Sequence, residues 1–304
     1  MTGKLWRLLE RQWPALLLAI APFSVGAVEA WRPASLPHAE VRELTSRHTG
    51  RTYRIQMSIP RGEPSAQGYP VIYVLDGNLL FPVLAQQTLM FEGNALREGR
   101  EPVLIVGIGY PTDEPFDVQA RAEDYTPPAA DMSATGDRLS SRHGGAERFL
   151  HFIEDELKPL VEARQPVDRD RQTLFGHSYG GLFATYTLLT QVQAFQNYLI
   201  SSPSLWWNRR HVFGQLAVFS APKASVMPRV LLSVGADEQP VLEPALQNER
   251  QHHQAQRAVI DNAAELNRRL RGMGVHSELV IQPRGDHAST AFSSAALALG
   301  FALD

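Results

Sequence analysis

The chain has 304 residues, of which 44% are hydrophobic and 20% charged, and its formal net charge is −3 at pH 7. This composition is typical of a globular protein long enough for one large domain. The mildly acidic balance argues against a nucleic-acid-binding protein. Because cysteine is absent, the fold needs no disulfide and is indifferent to redox conditions.

The N-terminus has the pattern of a secretory signal peptide. Basic residues precede an apolar run that ends in small residues: Lys4, Arg7 and Arg11, the run 15–21, and possible cleavage sites near Ala27 or Ala30. A membrane anchor is the alternative, but the apolar stretch 15–28 is short and contains Pro22, whereas a span needs about 20 residues. We therefore predict a signal peptide over 1–27, export to the periplasm, and no stable membrane insertion.

After the signal, residues 31–304 are predicted to form a single domain with an α/β fold. Strands are predicted at 41–46, 52–58, 70–75, 103–108, 172–176, 197–201, 229–234 and 277–282, and helices at 79–92, 146–163, 180–192, 251–272 and 288–302. The first two strands alternate in polarity and suit an antiparallel pair, whereas those at 70–75 and 103–108 are continuous apolar runs that suit burial on both faces. This order predicts a mostly parallel central sheet with antiparallel strands at one end and helices on both faces.

The most informative motif is Gly176-His177-Ser178-Tyr179-Gly180, which lies between a predicted strand and a predicted helix. A G-x-S-x-G sequence in that position is typical of a nucleophile elbow, with Ser178 on a sharp turn. We expect the two glycines of the motif to remove Cβ atoms that would clash there, and Gly181 to let the helix pack closely.

A nucleophilic serine requires a base, and His287 is the candidate among the 10 histidines. It follows the strand predicted at 277–282 and precedes the last helix, which is where a hydrolase sheet places such a histidine. His177 is predicted to be a packed or hydrogen-bonded structural residue. His252 and His253 are predicted to be solvated.

An acid that orients the histidine should follow the strand predicted at 229–234, where Asp237 and Glu238 are both candidates. An ordinary acidic loop is the alternative. Oxyanion donors are expected from the backbone N–H of Tyr179 and from the turn at Gly77 and Asn78. The alternative for that turn is a plain strand-to-helix connection with Asn78 as a helix cap.

The long polar stretch 110–144 exceeds ordinary loop lengths and predicts either a substrate-facing insertion or a mobile lid. Arginine suits anionic and planar groups, and tryptophan offers stacking surface; the alternatives are solvated arginines and core tryptophans. The candidates are Arg97, Arg100, Arg121, Arg138 and Arg142, together with Trp206 and Trp207. No Cys/His/carboxylate set has metal-ligand spacing, so neither a metal nor a cofactor is predicted. The oligomeric state has no signal in the sequence.

Six motifs occur in order along the chain: Leu75-Asp76-Gly77-Asn78; Arg121 with Asp124-Tyr125-Thr126-Pro127; Gly144-Gly145-Ala146-Glu147-Arg148-Phe149-Leu150; Gly176-His177-Ser178-Tyr179-Gly180-Gly181; Ser202-Pro203-Ser204-Leu205-Trp206-Trp207; and Gly285-Asp286-His287. Together they resemble the esterase-D-like family of α/β-hydrolases over residues 40–302. Within that family they are most similar to the periplasmic ferric-enterobactin esterases of Gram-negative bacteria, of the Pseudomonas type.

The resemblance implies hydrolysis of the serine ester bonds of a catecholate siderophore trilactone, which releases dihydroxybenzoyl-serine units and allows iron recovery. Iron would belong to the substrate, and Arg121 with Trp206 or Trp207 would lie near it. Where this chain has Gly235-Ala236-Asp237-Glu238-Gln239, relatives commonly have Gly-Glu-x-Glu-Gln, which favours Glu238 as the acid. Some members are described as working with a Ser-His dyad, so a site without an acid stays an alternative.

Two other functions are compatible with the same residues. An exported esterase acting on feruloyl or acetyl esters of carbohydrate would share every catalytic group. A siderophore-binding protein with a vestigial site would share the binding residues and form no product.

Overall fold

The computed structural model describes residues 31, 34–97, 101–219, 227–240 and 244–303. The predicted signal peptide at 1–27 lies outside these ranges, as do Ala30 and Arg100. The elements below belong to one compact unit that begins at residue 35. No helix in the described ranges combines the length and apolar character that a membrane span requires.

Eight strands form one sheet in the order β1-β2-β4-β3-β5-β6-β7-β8. They are β1 (Ala39–Thr45), β2 (Thr52–Ser58), β3 (Tyr69–Leu75), β4 (Leu104–Gly109), β5 (Val167–His177), β6 (Asn197–Ser201), β7 (Arg229–Gly235) and β8 (His276–Gln282). β2 pairs antiparallel with both β1 and β4, and all pairings from β4 to β8 are parallel. The predicted mixed sheet with antiparallel strands at one end is therefore confirmed.

Helices cover both faces of the sheet. They are α1 (Gly77–Arg97), α2 (Val118–Tyr125), α3 (Ala146–Phe152), α4 (Lys158–Arg164), α5 (Tyr179–Thr190), α6 (Trp207–Arg210), α7 (Phe213–Val218), α8 (Glu249–Arg257), α9 (Val259–Gly272) and α10 (His287–Leu303). The helix predicted at 146–163 is interrupted by a π-helical turn at Ile153–Leu157. The one predicted at 251–272 is divided at Ala258, which has a left-handed conformation with φ of 45°.

Strand β3 illustrates how both faces of the sheet are buried. Val71 and Tyr73 point into a core cluster that includes α5 and α9, whereas Ile72 and Val74 point into a second cluster with α1 and α10. Because side chains alternate along a strand, a strand covered on both faces must be apolar at every position. This explains the continuous apolar runs in the sequence.

The segment 110–144 contains α2, which the sequence analysis did not predict. Asp117 caps this helix by accepting a hydrogen bond from the Ala120 backbone N–H at 2.9 Å. Its buried side includes Tyr125, whose ring packs against Phe183 of α5 at 6.0 Å between ring centres. The segment is therefore anchored to the core along part of its length.

The turn between β3 and α1 depends on close backbone packing. Asp76 has a left-handed conformation with φ of 52°. A Cβ atom placed on Gly77 would lie 2.8 Å from the backbone nitrogen of Ile108 and 2.9 Å from the carbonyl carbon of Gly107. The first turn of α1 therefore rests directly on the backbone of β4.

We predict that Gly77→Ala destabilises the protein by about 1–3 kcal/mol, because the added methyl group can only be accommodated by moving backbone. The measurement is the free energy of unfolding in urea. Gly214→Ala is the matched control, since a Cβ there meets nothing within 4 Å, and it should cause no loss. Equal stability of the two variants would contradict this account of the turn.

Candidate active site

The ends of the parallel strands bring the predicted chemical groups to one edge of the sheet. Ser178 follows β5, Glu238 follows β7, and His287 follows β8 and begins α10. Because the carboxyl ends of neighbouring parallel strands lie side by side, loops far apart in sequence meet there. This edge is the candidate active site.

Ser178 has the strained backbone expected of a nucleophile elbow. Its φ is 59° and its ψ is −115°, a conformation that costs free energy for any residue with a Cβ. A Cβ on Gly176 would lie 2.2 Å from the Gly180 carbonyl oxygen, and one on Gly181 would lie 2.9 Å from the Ser201 carbonyl oxygen. A Cβ on Gly180 would lie 3.4 Å from the Leu75 side chain, which is an ordinary contact, so the clash predicted at that position is absent.

Three side chains form a continuous hydrogen-bonded chain. His287 Nε2 lies 3.0 Å from Ser178 Oγ, and His287 Nδ1 lies 2.6 Å from Glu238 Oε2. If Nδ1 carries the proton donated to the carboxylate, Nε2 is free to accept the serine proton. This is the geometry that activates a serine for nucleophilic attack.

The two acidic candidates have opposite environments. The side chain of Glu238 is 1% exposed, and its other oxygen accepts hydrogen bonds from Ser202 Oγ at 2.5 Å and from the Gly235 N–H at 2.7 Å. Burial alone would raise the pKa of Glu238, but hydrogen bonds from His287 and Ser202 hold that pKa below its usual range. Asp237 is exposed, so only Glu238 is placed to orient the imidazole.

The predicted oxyanion donors lie at two helix starts. Tyr179 is the first residue of α5 and Gly77 the first of α1, and the first N–H groups of a helix have no partner within it. The Asn78 amide is engaged elsewhere. Its Oδ1 accepts from the Tyr110 N–H at 2.8 Å, and its Nδ2 donates to the Thr112 carbonyl at 2.7 Å. Asn78 thus ties this turn to the segment after β4, and the cap alternative does not describe its side chain.

Arg121 supports the same turn from α2. Its Nε and Nη2 each donate to a different oxygen of Asp76 at 2.8 Å, and both side chains are largely buried. The guanidinium also lies over the ring of Tyr179, with 5.6 Å between Cζ and the ring centre. Arg121 is therefore next to the candidate active site, but a carboxylate already pairs with it.

Tyr179 connects the nucleophile turn to the long segment 110–144. Its hydroxyl donates to Asp137 Oδ2 at 3.0 Å, and the same oxygen lies 3.2 Å from His143 Nε2. The other oxygen of Asp137 accepts from the Leu139 and Ser140 N–H groups. Asp137 therefore fixes the conformation of this part of the segment and holds it against α5.

The two tryptophans differ sharply. Trp206 is partly buried and packs near Tyr179, at 6.3 Å between ring centres, with the Arg257 guanidinium 4.6 Å from its ring. Trp207 is fully buried and packs against His143 at 6.0 Å. The prediction that Trp207 binds substrate is wrong, because its ring is part of the core.

Two of the remaining candidate arginines, Arg138 and Arg142, lie on the surface of the segment. Arg138 is exposed and has no ion-pair partner within the described ranges. Arg142 lies 3.5 Å from Glu123 and borders a cavity of about 460 Å³ that Ser178 and His287 do not line. Arg97 and Arg100 are positions at which no side chain is described.

His177 is a structural residue, as predicted. Its Nδ1 lies 3.0 Å from Ser201 Oγ, and its ring centre is 4.7 Å from that of His287. Burial, followed by the charges of His287 and Arg121, holds the pKa of His177 well below the usual range. A neutral ring therefore lies beneath the catalytic candidate and adds no positive charge there.

Four further residues complete the site, and the sequence analysis assigned them no role: Asp76, Asp137, Ser202 and Ser204. Ser202 holds Glu238, and Ser204 Oγ lies 3.4 Å from Ser178 Oγ. Asp76, Ser202 and Ser204 occur within motifs of the family resemblance, which was the available signal. Asp137 lies in a polar stretch of the sequence that carried no such signal. Within the described ranges, no group of three or more His, Asp or Glu side chains could hold a metal ion.

We predict that Glu238→Gln lowers kcat by about a hundredfold or more, because an amide can neither fix the imidazole tautomer nor stabilise the imidazolium. Asp237→Asn is the control and should stay within about threefold of the wild type, since its carboxylate is exposed. Hydrolysis of p-nitrophenyl acetate measures both. Full activity of the Gln variant would favour a Ser-His dyad.

His177 predicts a pH dependence of stability. Because its folded pKa is lowered, the unfolded chain binds a proton below about pH 6.5 that the folded chain does not, so stability falls as the pH decreases. Between pH 7 and 5.5, His177→Asn should lose about 1 kcal/mol less than the wild type in urea unfolding. The exposed His252→Asn should behave like the wild type, and equal pH dependence of all three proteins would contradict a neutral buried His177.

Comparison with known proteins places these observations in a family. A family model described as "Putative esterase" matches residues 46–297. The ferri-bacillibactin esterase BesA of Bacillus subtilis is 39% identical over 278 residues, which cover 88% of this chain and 91% of that protein. A siderophore enterobactin esterase of Emericella nidulans is 35% identical over 241 residues, covering 73% and 79%.

A solved structure agrees with the sequence relatives. The BES protein from Bacillus cereus has a TM-score of 0.73 and 33% identity, and the match covers 91% of this chain and 98% of that one. The relatives' names describe ester hydrolysis, a reaction that the serine, histidine and carboxylate at the edge of this sheet can perform. The chain therefore belongs to this esterase family and is a carboxylic ester hydrolase of the α/β-hydrolase fold.

Proposed function

We propose that the protein is an exported serine esterase that hydrolyses the ester bonds of ferric enterobactin, releasing dihydroxybenzoyl-serine units so that iron can be recovered. The observation that carries the proposal is the hydrogen-bonded chain from Ser178 through His287 to Glu238. The relatives are named as siderophore esterases, one of them an enterobactin esterase, and this supports the class of substrate.

In the first half of the reaction, Ser178 Oγ attacks the ester carbonyl while His287 Nε2 takes its proton. The tetrahedral intermediate collapses when the bond from the carbonyl carbon to the ester oxygen breaks. His287 then gives its proton to that leaving oxygen, which becomes the free hydroxyl of a siderophore serine. The product of this half is an acyl-enzyme on Ser178.

The second half repeats the chemistry with water. His287 removes a proton from a water molecule, the resulting hydroxide attacks the acyl carbonyl, and the bond to Ser178 Oγ breaks as the oxygen regains its proton. Glu238 remains ionised throughout and stabilises the imidazolium in both halves.

Negative charge that develops on the carbonyl oxygen requires fixed donors. The Tyr179 N–H at the start of α5 and the N–H groups of Gly77 and Asn78 at the start of α1 are proposed for this role. The hydrogen bonds from Arg121 to Asp76 and from Asn78 to the segment after β4 hold the second turn in place. Donors that are already oriented need not reorganise during the reaction.

The substrate would bring its own metal and charge. A ferric tris-catecholate is anionic and aromatic, and iron would enter only as part of it, with no resident cofactor. Arg138, Arg121 and Trp206 are proposed to bind it, because guanidinium groups suit anionic planar ligands and indole rings suit stacking. Export is proposed from the pattern of residues 1–27, and periplasmic location from that pattern together with the absence of cysteine and the resemblance to periplasmic ferric-enterobactin esterases.

We predict that Ser178→Ala lowers the rate of ferric-enterobactin hydrolysis by at least about a thousandfold. Purified wild-type and variant proteins would be incubated with iron-loaded and iron-free enterobactin and with ferric bacillibactin, and linear trimer, dimer and monomer would be followed by chromatography. Quenching of tryptophan fluorescence would show that the variant still binds the siderophore.

Each outcome has a distinct meaning. Fragments formed at equal rates by the Ser178→Ala variant would overturn the assignment of the nucleophile. A wild-type enzyme that cleaves feruloyl or acetyl esters of carbohydrate but leaves the siderophores intact would overturn the substrate. The rates for the two ferric siderophores decide which of them the site prefers.

A further inference from the structure

An exposed apolar surface borders the candidate active site. It consists of Phe116, Val118 and Leu139, whose exposed fractions are 37%, 43% and 75%, and we call it the apolar ledge. Single exposed apolar side chains are common, whereas several grouped beside a catalytic cleft indicate a binding surface.

Hydrogen bonds hold the two halves of the ledge together. Gln119 Nε2 donates to the Leu139 carbonyl at 2.5 Å, and Ser140 Oγ donates to the Val118 carbonyl at 3.1 Å. The Ser141 N–H donates to Gln119 Oε1 at 3.1 Å. The start of α2 and the segment around residue 140 are therefore tied together, which lowers the cost of ordering the surface that carries these apolar side chains.

The same surface is anchored beside the nucleophile. Asp137 accepts hydrogen bonds from the Leu139 N–H at 2.8 Å and from the Tyr179 hydroxyl at 3.0 Å. The Arg121 guanidinium also lies over the rings of both Phe116 and Tyr179, at 5.0 Å and 5.6 Å from their centres. One guanidinium group thus contacts both the ledge and the residue that follows Ser178.

The charge around the ledge selects the kind of ligand. Arg138 is exposed next to Leu139 and is unpaired within the described ranges. A flat ring that carries anionic oxygens can pack on the apolar side chains while its oxygens face this guanidinium. A purely apolar ligand would gain nothing from Arg138, and a sugar would gain little from the ledge.

We propose that the apolar ledge holds one catecholate arm of the siderophore while the ester of another arm is at Ser178. This inference rests on the proposed function. A trilactone has three arms, and only one ester can occupy the nucleophile at a time, so the other arms must lie outside the cleft. The ledge lies at the border of that cleft. Its apolar side chains suit the aromatic ring of an arm, and the adjacent Arg138 suits the anionic oxygens of that ring.

The test compares two exposed apolar residues. Leu139→Gln should lower the ratio of kcat/KM for ferric enterobactin to kcat/KM for p-nitrophenyl acetate by about fivefold, because the small ester has no second arm to place. Met90→Gln is the matched control: Met90 is also 75% exposed but lies 13 residues into α1, about 20 Å along the helix from the site. Its ratio should equal that of the wild type.

Leu139→Met keeps the apolar surface and should restore the ratio, and thermal melting of each variant checks that it is folded. An unchanged ratio in Leu139→Gln, with siderophore still hydrolysed, overturns the ledge alone. Equal losses for both esters also overturn it, because they would show that Leu139 supports the catalytic turn. A wild-type enzyme that cleaves p-nitrophenyl acetate but no siderophore overturns the proposed function and this inference with it.

Discussion

The buried carboxylate of Glu238 is the constraint on which the candidate site depends. An ionised carboxylate that leaves water loses several kcal/mol of hydration unless donors replace it. Here His287, Ser202 and the Gly235 N–H supply those donors, and each belongs to the end of a different strand: β8, β6 and β7. The hydrogen bonds that stabilise this one carboxylate therefore fix three loops relative to one another. They also orient the His287 imidazole towards Ser178.

Backbone strain occurs at the same edge of the sheet. Asp76, Ser178 and Ser202 have φ values of 52°, 59° and 40°, and each is the first residue after its strand, on β3, β5 and β6. Such conformations cost roughly 1–3 kcal/mol each. They persist because hydrogen bonds hold them: the Ser178 N–H donates to the Ser201 carbonyl, and the Ser202 N–H donates to the Ser233 carbonyl. The fold therefore tolerates a local loss of stability at the positions that orient the side chains of the candidate site.

The sequence predicted the fold well because strands buried on both faces are apolar throughout. It missed α2, which is only eight residues long and has a polar exposed side, so neither length nor periodicity marked it. The residue pattern alone did not choose between Asp237 and Glu238, although the family resemblance favoured Glu238, and nothing in the sequence chose between Trp206 and Trp207. In each pair the residues are adjacent, and the local backbone alone decides which side chain points inward; no periodic pattern reports that.

Asp137 connects the segment that carries the apolar ledge to Tyr179. Arg121 is paired with Asp76, whereas Arg138 is exposed and has no ion-pair partner in the described ranges, so Arg138 can offer its full charge to an anionic ligand alongside Arg121. Arg138 and the apolar ledge belong to the unit that Asp137 fastens to Tyr179, whose backbone N–H is the proposed oxyanion donor. A ligand arm bound on the ledge would therefore contact the segment that Asp137 connects to Tyr179, the residue that carries the proposed donor. Binding energy gained far from the ester could then be used to align the carbonyl with Ser178, which is how remote contacts raise kcat as well as affinity.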